Sequence, residues 1–308
     1  MLRKKDIPWI KKQVHSQVED FYRKCRPSKS ESLLAQEISF FTDEVLSEVR
    51  ARDQIKLLKE SCGESLKGKK LLEIGSGYAI FLIGARLWEG IDALGTEPGR
   101  FQCDNLKIPK NILRAGGVEE NILFGAQGEQ LPFRSCFFDM VYSHNVLEHA
   151  DDPQKVLSEA FRVLKPGGKM VIVVPNYFTF WEGHYKIFWS PIFNWRPLGR
   201  AYIRLIGKDP NFLDSLNLVT PRKLLRWLSS INGDYEILGT GVDVWRRRLM
   251  GEDFAPYGGM ETVKQLFWRL RKCGLANLIA RITSFLNMHT PIILTLKKIS
   301  DENKKNEC

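Results

Sequence analysis

Leu71-Leu72-Glu73-Ile74-Gly75-Ser76-Gly77-Tyr78-Ala79 is the stretch on which the reading of this chain turns. Residues 70–74 are a short apolar run bounded by Gly68 on one side and the cluster Gly75-Ser76-Gly77 on the other. Residues 80–87 follow with helical content, so the pattern predicts a buried strand, a glycine turn and a helix. Gly75 and Gly77 let the backbone pass close to a ligand where a Cβ would collide. The helix that follows offers its first N–H groups to the same ligand. Dinucleotide-binding folds share such a turn, and a plain strand-to-helix connection looks similar.

The alternation continues downstream. Residues 93–96 read as a second strand ending in Glu97-Pro98-Gly99, residues 122–124 as a third and 138–143 as a fourth. Asp152-Pro153 opens a helix, with Asp as N-cap and Pro at the first helical position. Val156, Leu157, Ala160, Phe161 and Leu164 supply its buried face, Pro166-Gly167-Gly168 ends it, and residues 169–174 form a fifth strand. Strands alternating with helices at these lengths imply an α/β fold whose parallel sheet is covered on both faces. Farther on, Thr220-Pro221 starts a helix, residues 235–244 look like a strand, 263–286 like a helical run and 291–296 like a last strand.

Upstream, Ile10, Val14, Val18 and Phe21 recur at helical spacing, and Leu34, Ile38, Phe41, Val45 and Val49 form a second stripe after a break at residues 26–30. The chain therefore divides into an N-terminal helical extension (1–65), an α/β domain (66–300) with inserts at 177–219 and 245–289, and a polar tail (301–308). Segment 1–29 carries nine basic and three acidic residues, which reads as a solvated amphipathic cap.

The whole chain has 308 residues, 44% hydrophobic and 27% charged, a composition that excludes wholesale disorder and, at this length, a disulfide miniprotein. The longest uncharged stretches, residues 170–181 and 282–296, are shorter than a membrane span. No apolar segment follows the basic N-terminal residues, so no signal peptide and a cytoplasmic location are expected. The six cysteines are scattered with no CxxC pair, which predicts free thiols and no metal site. A net charge of +10 suits nucleic acid, an anionic membrane face or a phosphorylated substrate without choosing among them.

Three further features sharpen the glycine turn. Glu97 falls 22 residues after Gly75, where a carboxylate can accept both hydroxyls of a ribose. Glu129-Gln130-Leu131-Pro132-Phe133 precedes Phe138-Asp139-Met140-Val141. Ser143-His144-Asn145-Val146-Leu147-Glu148-His149 then leads, through a helix, to Arg162-Val163-Leu164-Lys165-Pro166-Gly167-Gly168. In order and spacing, residues 66–176 resemble the class I S-adenosylmethionine-dependent methyltransferases, in particular the metabolite-modifying group with "LPF…FD.V…LEH…RVLKPGG".

The resemblance implies a doubly wound, mostly parallel seven-stranded sheet of Rossmann-like type, with residues 220–244 and 291–296 as its last helix and strands. It implies S-adenosyl-L-methionine as cofactor. Glu73, Gly75, Ser76 and Gly77 would meet its methionine end and Glu97 its ribose. Gln127, followed by Gly128, stands where the family usually has Asp against the adenine; a Gln amide can both accept from the amine and donate to a ring nitrogen. Ser143 would complete the set from the fourth strand.

His144, just past the fourth strand, and His184, in the aromatic insert, are the candidates for a catalytic base or an acceptor contact. His149 reads as a structural or capping residue at a helix start, and Tyr142, Tyr177 or Tyr185 could serve equally well. Residues 177–219 hold 11 of the chain's 34 aromatic residues, beside Lys186, Arg196, Arg200 and Arg204. They read as walls of an acceptor pocket, as an extra core, or as a membrane interface. The expectation is an enzyme methylating a small-molecule, lipid-linked or sugar-linked acceptor on oxygen, with peripheral contact at the inner membrane face. An RNA methyltransferase is an alternative that lacks a recognisable RNA-binding module. A non-catalytic partner subunit is another, and the retained Glu73, Gly75, Gly77 and Glu97 argue against it.

Overall fold

The structure, a computed structural model, describes residues 2–25, 31–99, 106–251 and 261–299. Three helices open the chain: α1 (Ile7–Cys25), α2 (Glu31–Val45) and α3 (Glu48–Cys62). The α/β part then runs β1 (Lys70–Ile74), α4 (Ile80–Glu89), β2 (Asp92–Thr96), α5 (Lys107–Ala115), β3 (Leu123–Phe124), β4 (Phe138–His144), α6 (Pro153–Val163) and β5 (Leu164–Val174). A small hairpin, β6 (Trp181–Glu182) and β7 (Ile187–Phe188), leads into α7 (Arg196–Leu205) and α8 (Asn211–Asp214). The chain closes with α9 (Pro221–Leu228), β8 (Tyr235–Gly239), α10 (Val242–Met250), α11 (Glu261–Lys272), α12 (Leu275–Phe285) and β9 (Ile292–Lys298).

Seven strands form one sheet in the order β3-β2-β1-β4-β5-β9-β8. β1 pairs in parallel with β2 and β4, and β9 alone runs against both of its neighbours. The chain winds outward from β1 to β3 and then returns to β4. This reversal opens a crevice at the carboxyl ends of β1 and β4, the place where open α/β sheets bind ligands. The doubly wound, mostly parallel seven-stranded sheet is as the sequence predicted.

Side-chain alternation splits the core into two. Leu71, Met140, Tyr142, Val171 and Val173 face one way, against Ile10, Val14, Val18, Leu34, Ile38, Ile55 and Leu58 of α1–α3 and the inner sides of α4 and α5. The first 65 residues thus contribute to the main core. Leu72, Ile74, Val141, Met170, Ile172 and Val174 face the other way, against α6, α9 and the insert's Tyr177, Trp189, Leu213 and Leu216. Neighbouring residues of one strand therefore serve opposite layers, and burying each large apolar side chain contributes about 1.5–3 kcal/mol.

Arg162 and Lys165, at the junction of α6 and β5, act as ties. Arg162 donates to the carbonyls of Phe133 (2.8 Å) and Leu131 (3.2 Å), while Glu159 accepts from the Leu131 N–H. This clamps the Leu131-Pro132-Phe133 segment onto α6. Asp139 accepts from Lys165 Nζ (2.6 Å) and from the Lys70 N–H (2.8 Å). Burial opposes ionisation of that carboxylate, but the two donors outweigh it and hold its pKa below the usual value.

Several boundaries differ from the sequence reading. Leu164 and Pro166-Gly167-Gly168 lie inside β5, where a register shift between Phe138 and Met140 absorbs the extra residues. Leu147-Glu148-His149 forms a turn rather than a helix start, following Asn145 at φ 58°. The strand predicted over 235–244 stops at Gly239, because Gly241 (φ 88°) turns the chain into α10. Gly274 (φ 71°) breaks the predicted 263–286 helix into α11 and α12. The last strand spans 292–298 rather than 291–296. The free-thiol expectation needs one correction: Cys62 and Cys273 are free, but Cys136 is disulfide-bonded. Among the described residues no helix is long and apolar enough to cross a membrane. The break at 26–30 and the tail 301–308 lie outside the described residues.

Candidate active site

The glycine turn is drawn onto the end of β2. The N–H groups of Gly75 (2.8 Å) and Ser76 (2.9 Å) both donate to the Thr96 carbonyl. Gly75 takes φ 77°, and a Cβ there would lie 2.3 Å from Val146 Cγ2. Gly77 takes φ 52°, with nothing within 4 Å of where its Cβ would sit, so at this point the turn borders open space. Gly95 on β2 plays a part that sequence reasoning passed over. A Cβ on it would come 2.2 Å from Ser76 Oγ, so only glycine lets Ser76 seat; a lone glycine inside a strand was the available signal.

Glu97 reaches back to this turn. Its Oε2 accepts from the Gly77 N–H (2.9 Å) and its Oε1 from the Gly99 N–H (3.2 Å). Burial raises the Glu97 pKa more than these two donors lower it. Glu73 is buried beside it, and its pKa is pushed up to about 8 by burial, with Ser76 opposing and the Glu97 charge adding. Glu73 Oε2, Thr96 Oγ1 and Ser143 Oγ are buried with no hydrogen-bond partner. Unmatched buried polar atoms around an open turn suit a polar ligand. Ser143 lies opposite Ile74 across the β1–β4 pairing. Gly128 is buried, and a Cβ on it would meet Ile74 Cγ2 at 3.0 Å, whereas Gln127 is exposed.

Helix α1 crosses this region. Gln17 accepts from the Tyr78 hydroxyl (3.4 Å), and Phe21 meets the Phe212 ring edge-on at 6.3 Å. The extension thereby links the glycine turn to the aromatic insert.

A second cluster forms where the insert meets the turn after β4. The Asn217 N–H donates to the Glu148 carbonyl (2.7 Å), and its side chain donates to the carbonyls of Ala150 (2.7 Å) and Leu147 (3.2 Å). Held this way, Glu148 is fully buried and neither of its carboxylate oxygens has a hydrogen-bond partner. Burial pushes its pKa up to about 7. His149 Nε2 lies 4.0 Å from Glu148 Oε1, and burial lowers the His149 pKa to about 3.

From the insert, Glu182 Oε1 contacts His184 Nδ1 (2.8 Å) and the Tyr177 hydroxyl (3.3 Å), and Oε2 accepts from the Tyr185 N–H (2.5 Å). Burial would raise the Glu182 pKa, but His184 and these N–H donors hold it below the ordinary value. Burial likewise lifts the Tyr177 phenol well above its usual pKa. The His149 and His184 rings meet edge-to-face at 5.2 Å, and Phe212 packs 5.6 Å from His184.

The structure thus brings His149 to His184. His144 follows Ser143 on β4, and alternation turns it to the layer of Tyr142, whose ring is 6.2 Å away. Its pKa falls to about 3 through burial and the charges of Arg50 and Arg248. Glu148, Glu182 and Asn217 were not among the predicted site residues. The local signal for the first two was a carboxylate within two residues of a histidine, at Glu148-His149 and at Glu182-Gly183-His184.

Residues 72–172 match a family described as a methyltransferase domain. An uncharacterized methyltransferase of Mycolicibacterium vanbaalenii is 28% identical over 176 residues, 56% of this chain and 65% of that protein. Norajmaline N-methyltransferase of Rauvolfia serpentina is 30% identical over 110 residues, 35% of this chain and 37% of that protein. The 2-methyl-6-phytyl-1,4-hydroquinone methyltransferase of Arabidopsis thaliana is 33% identical over 126 residues, 41% of this chain and 35% of that protein. The chain spans less than two thirds of the length of each of these relatives. Among solved structures, the phosphoethanolamine N-methyltransferase 2 of Haemonchus contortus shares the fold at a TM-score of 0.52 and 16% identity, over 92% of this chain and 60% of that one.

Proposed function

Residues 72–172 are a methyltransferase domain of the class I S-adenosylmethionine-dependent family, and on that footing we propose that the protein methylates an oxygen of a small-molecule, lipid-linked or sugar-linked acceptor. When bound, S-adenosylmethionine supplies a methyl group on a sulfonium. Glu73, with its unmatched Oε2, would accept from the ammonium of the methionine end, beside the backbone of Gly75, Ser76 and Gly77. Glu97, already oriented by two N–H groups, keeps further lone pairs for the ribose hydroxyls. Gln127 would meet the adenine edge.

The chain's own part in the reaction is alignment and proton handling. Holding an acceptor in line accounts for up to roughly 7–11 kcal/mol of barrier in favourable cases. The observation that carries the reading is the buried Glu182–His184 pair set against Glu148 and His149. A histidine fixed by a carboxylate is a suitable acceptor for a hydroxyl proton, and Tyr177 and Phe212 supply apolar walls. Incubation with methyl-labelled cofactor and extracts fractionated into lipid, polar metabolite, glycan and RNA pools tests the reading. Label in an oxygen-linked methyl of a non-RNA pool is expected; label confined to RNA, or to nitrogen or carbon, would overturn it.

Contact with an anionic membrane surface is supported by α12, whose pattern is inverted. It buries Ala276, Ala280, Thr283 and Ser284, and it exposes Leu275, Leu278, Ile282 and Phe285, the last at 86%. These four fall on one helical stripe. Arg281 is exposed on the same helix, and Lys272 sits 3.8 Å over the half-exposed Trp268 ring. Apolar rings and basic groups together suit a head-group region. Co-sedimentation with vesicles containing anionic lipid is expected and should be lost in an Ile282→Ser, Phe285→Ser variant; equal recovery with neutral vesicles would refute the electrostatic part.

A further inference from the structure

Glu148, His149 and His184 each bring one ligand atom to within 4.8 Å of the other two. This combination of two imidazoles and one carboxylate is assembled from two separate loops, the turn after β4 and the β6–β7 hairpin. Glu148 is fully buried, and both its oxygens lack a hydrogen-bond partner. An unmatched buried carboxylate is costly unless something polar or charged meets it. Glu182, which contacts His184 Nδ1 at 2.8 Å, is placed as carboxylates commonly are around metal-bound histidines, fixing the ring. Phe212 packs against both rings, at 6.3 Å from His149 and 5.6 Å from His184.

We propose that Glu148, His149 and His184 bind one divalent transition-metal ion. Nitrogen and carboxylate donors of this kind suit zinc, manganese or iron(II). With bonds near ~2.1 Å the donors need to close to about 3.0–3.5 Å of one another, a side-chain rotation of roughly an ångström. Three protein ligands leave positions for the acceptor, as in catalytic sites. The inference rests on the preceding reading of this pocket as the acceptor site: an ion held by these three residues would supply a Lewis acid beside the acceptor hydroxyl, and His184 is the proton acceptor only in the ion-free protein.

Metal binding is measured without turnover, so the two readings fail separately. The full chain, stripped with chelator and titrated with Zn²⁺, Mn²⁺ or Co²⁺ alone, is expected to take up one equivalent of at least one of them. With Co²⁺ a visible absorption band should appear. Glu148→Gln, which keeps the shape of the buried side chain, and His184→Ala should each abolish stoichiometric uptake, with cofactor affinity retained in both and melting temperature retained in Glu148→Gln as controls. Glu182→Gln should weaken uptake about 10–100-fold. No ion at one equivalent, or unchanged uptake by Glu148→Gln and His184→Ala, would overturn the metal site.

Discussion

His184 Nδ1 stands 2.8 Å from Oε1 of Glu182, a carboxylate that the fold buries almost completely. The pair sits at the hairpin β6–β7, and Tyr177 and the Tyr185 N–H complete the shell around Glu182. The orientation of the imidazole is therefore fixed by the insert, while the residues facing it, Glu148 and His149, come from the sheet edge.

Glu182→Gln removes the charge but keeps the shape. Turnover is expected to fall by about 10²-fold or more, the usual scale for a positioned proton acceptor, while the cofactor dissociation constant stays put. Single-turnover kinetics alongside calorimetric titration separate the two. A variant with unchanged turnover would remove His184 from the chemistry.

Glu97→Ala deletes the acceptor of both the Gly77 and Gly99 N–H groups. Cofactor affinity is expected to drop by on the order of 1–3 kcal/mol, the scale for losing a charged hydrogen-bond partner. Calorimetry reads this directly, and an unaltered dissociation constant would contradict the ribose assignment.

The two glycines of the turn are expected to behave differently. Gly75→Val adds a side chain whose Cβ would lie 2.3 Å from Val146 Cγ2, so cofactor binding should vanish and the melting temperature should fall. Gly77→Ala meets open space and costs only about 1–2 kcal/mol from its left-handed φ. Its main loss should be in cofactor affinity. Equal thermal destabilisation of the two variants would count against this geometry.

Stability of the cofactor-free protein should depend on Glu73. Its folded pKa, pushed up to about 8 by burial, lies above its ordinary value of 4.5. A raised carboxyl pKa contributes stability that is complete below about pH 4.5 and is lost as pH rises through 8. The wild type should therefore lose stability between roughly pH 5 and 9, by up to about 5 kcal/mol, and Glu73→Gln should flatten that slope. Denaturant midpoints across the range test this; parallel profiles would show that Glu73 ionises freely.

The glycine turn and the strand ends around it were readable residue by residue. Glu73, Gly75, Gly77 and Glu97 stand at fixed offsets from strand ends, and a parallel sheet carries strand ends to one edge whatever the loops do. The glycine turn follows from short-range pattern alone. The motif around Arg162 and Lys165 was readable as a signature but not as a set of ties to Phe133, Leu131 and Asp139, since those bonds span more than two dozen residues.

What sequence alone determined, then, is the strands of the main sheet in their chain order and the identity of the glycine turn, because both arise from local hydrophobic period and backbone freedom. Tertiary structure decided the rest of the site. A single step of strand alternation sends His144 to one layer and leaves Ser143 on the other. Only the packing of residues 177–219 onto the edge of the sheet brings Glu182 and His184 against Glu148 and His149. Periodicity along the chain carries no term for contacts between loops so far apart, whereas burial of Tyr177, Trp189 and Leu213 in a shared core fixes them.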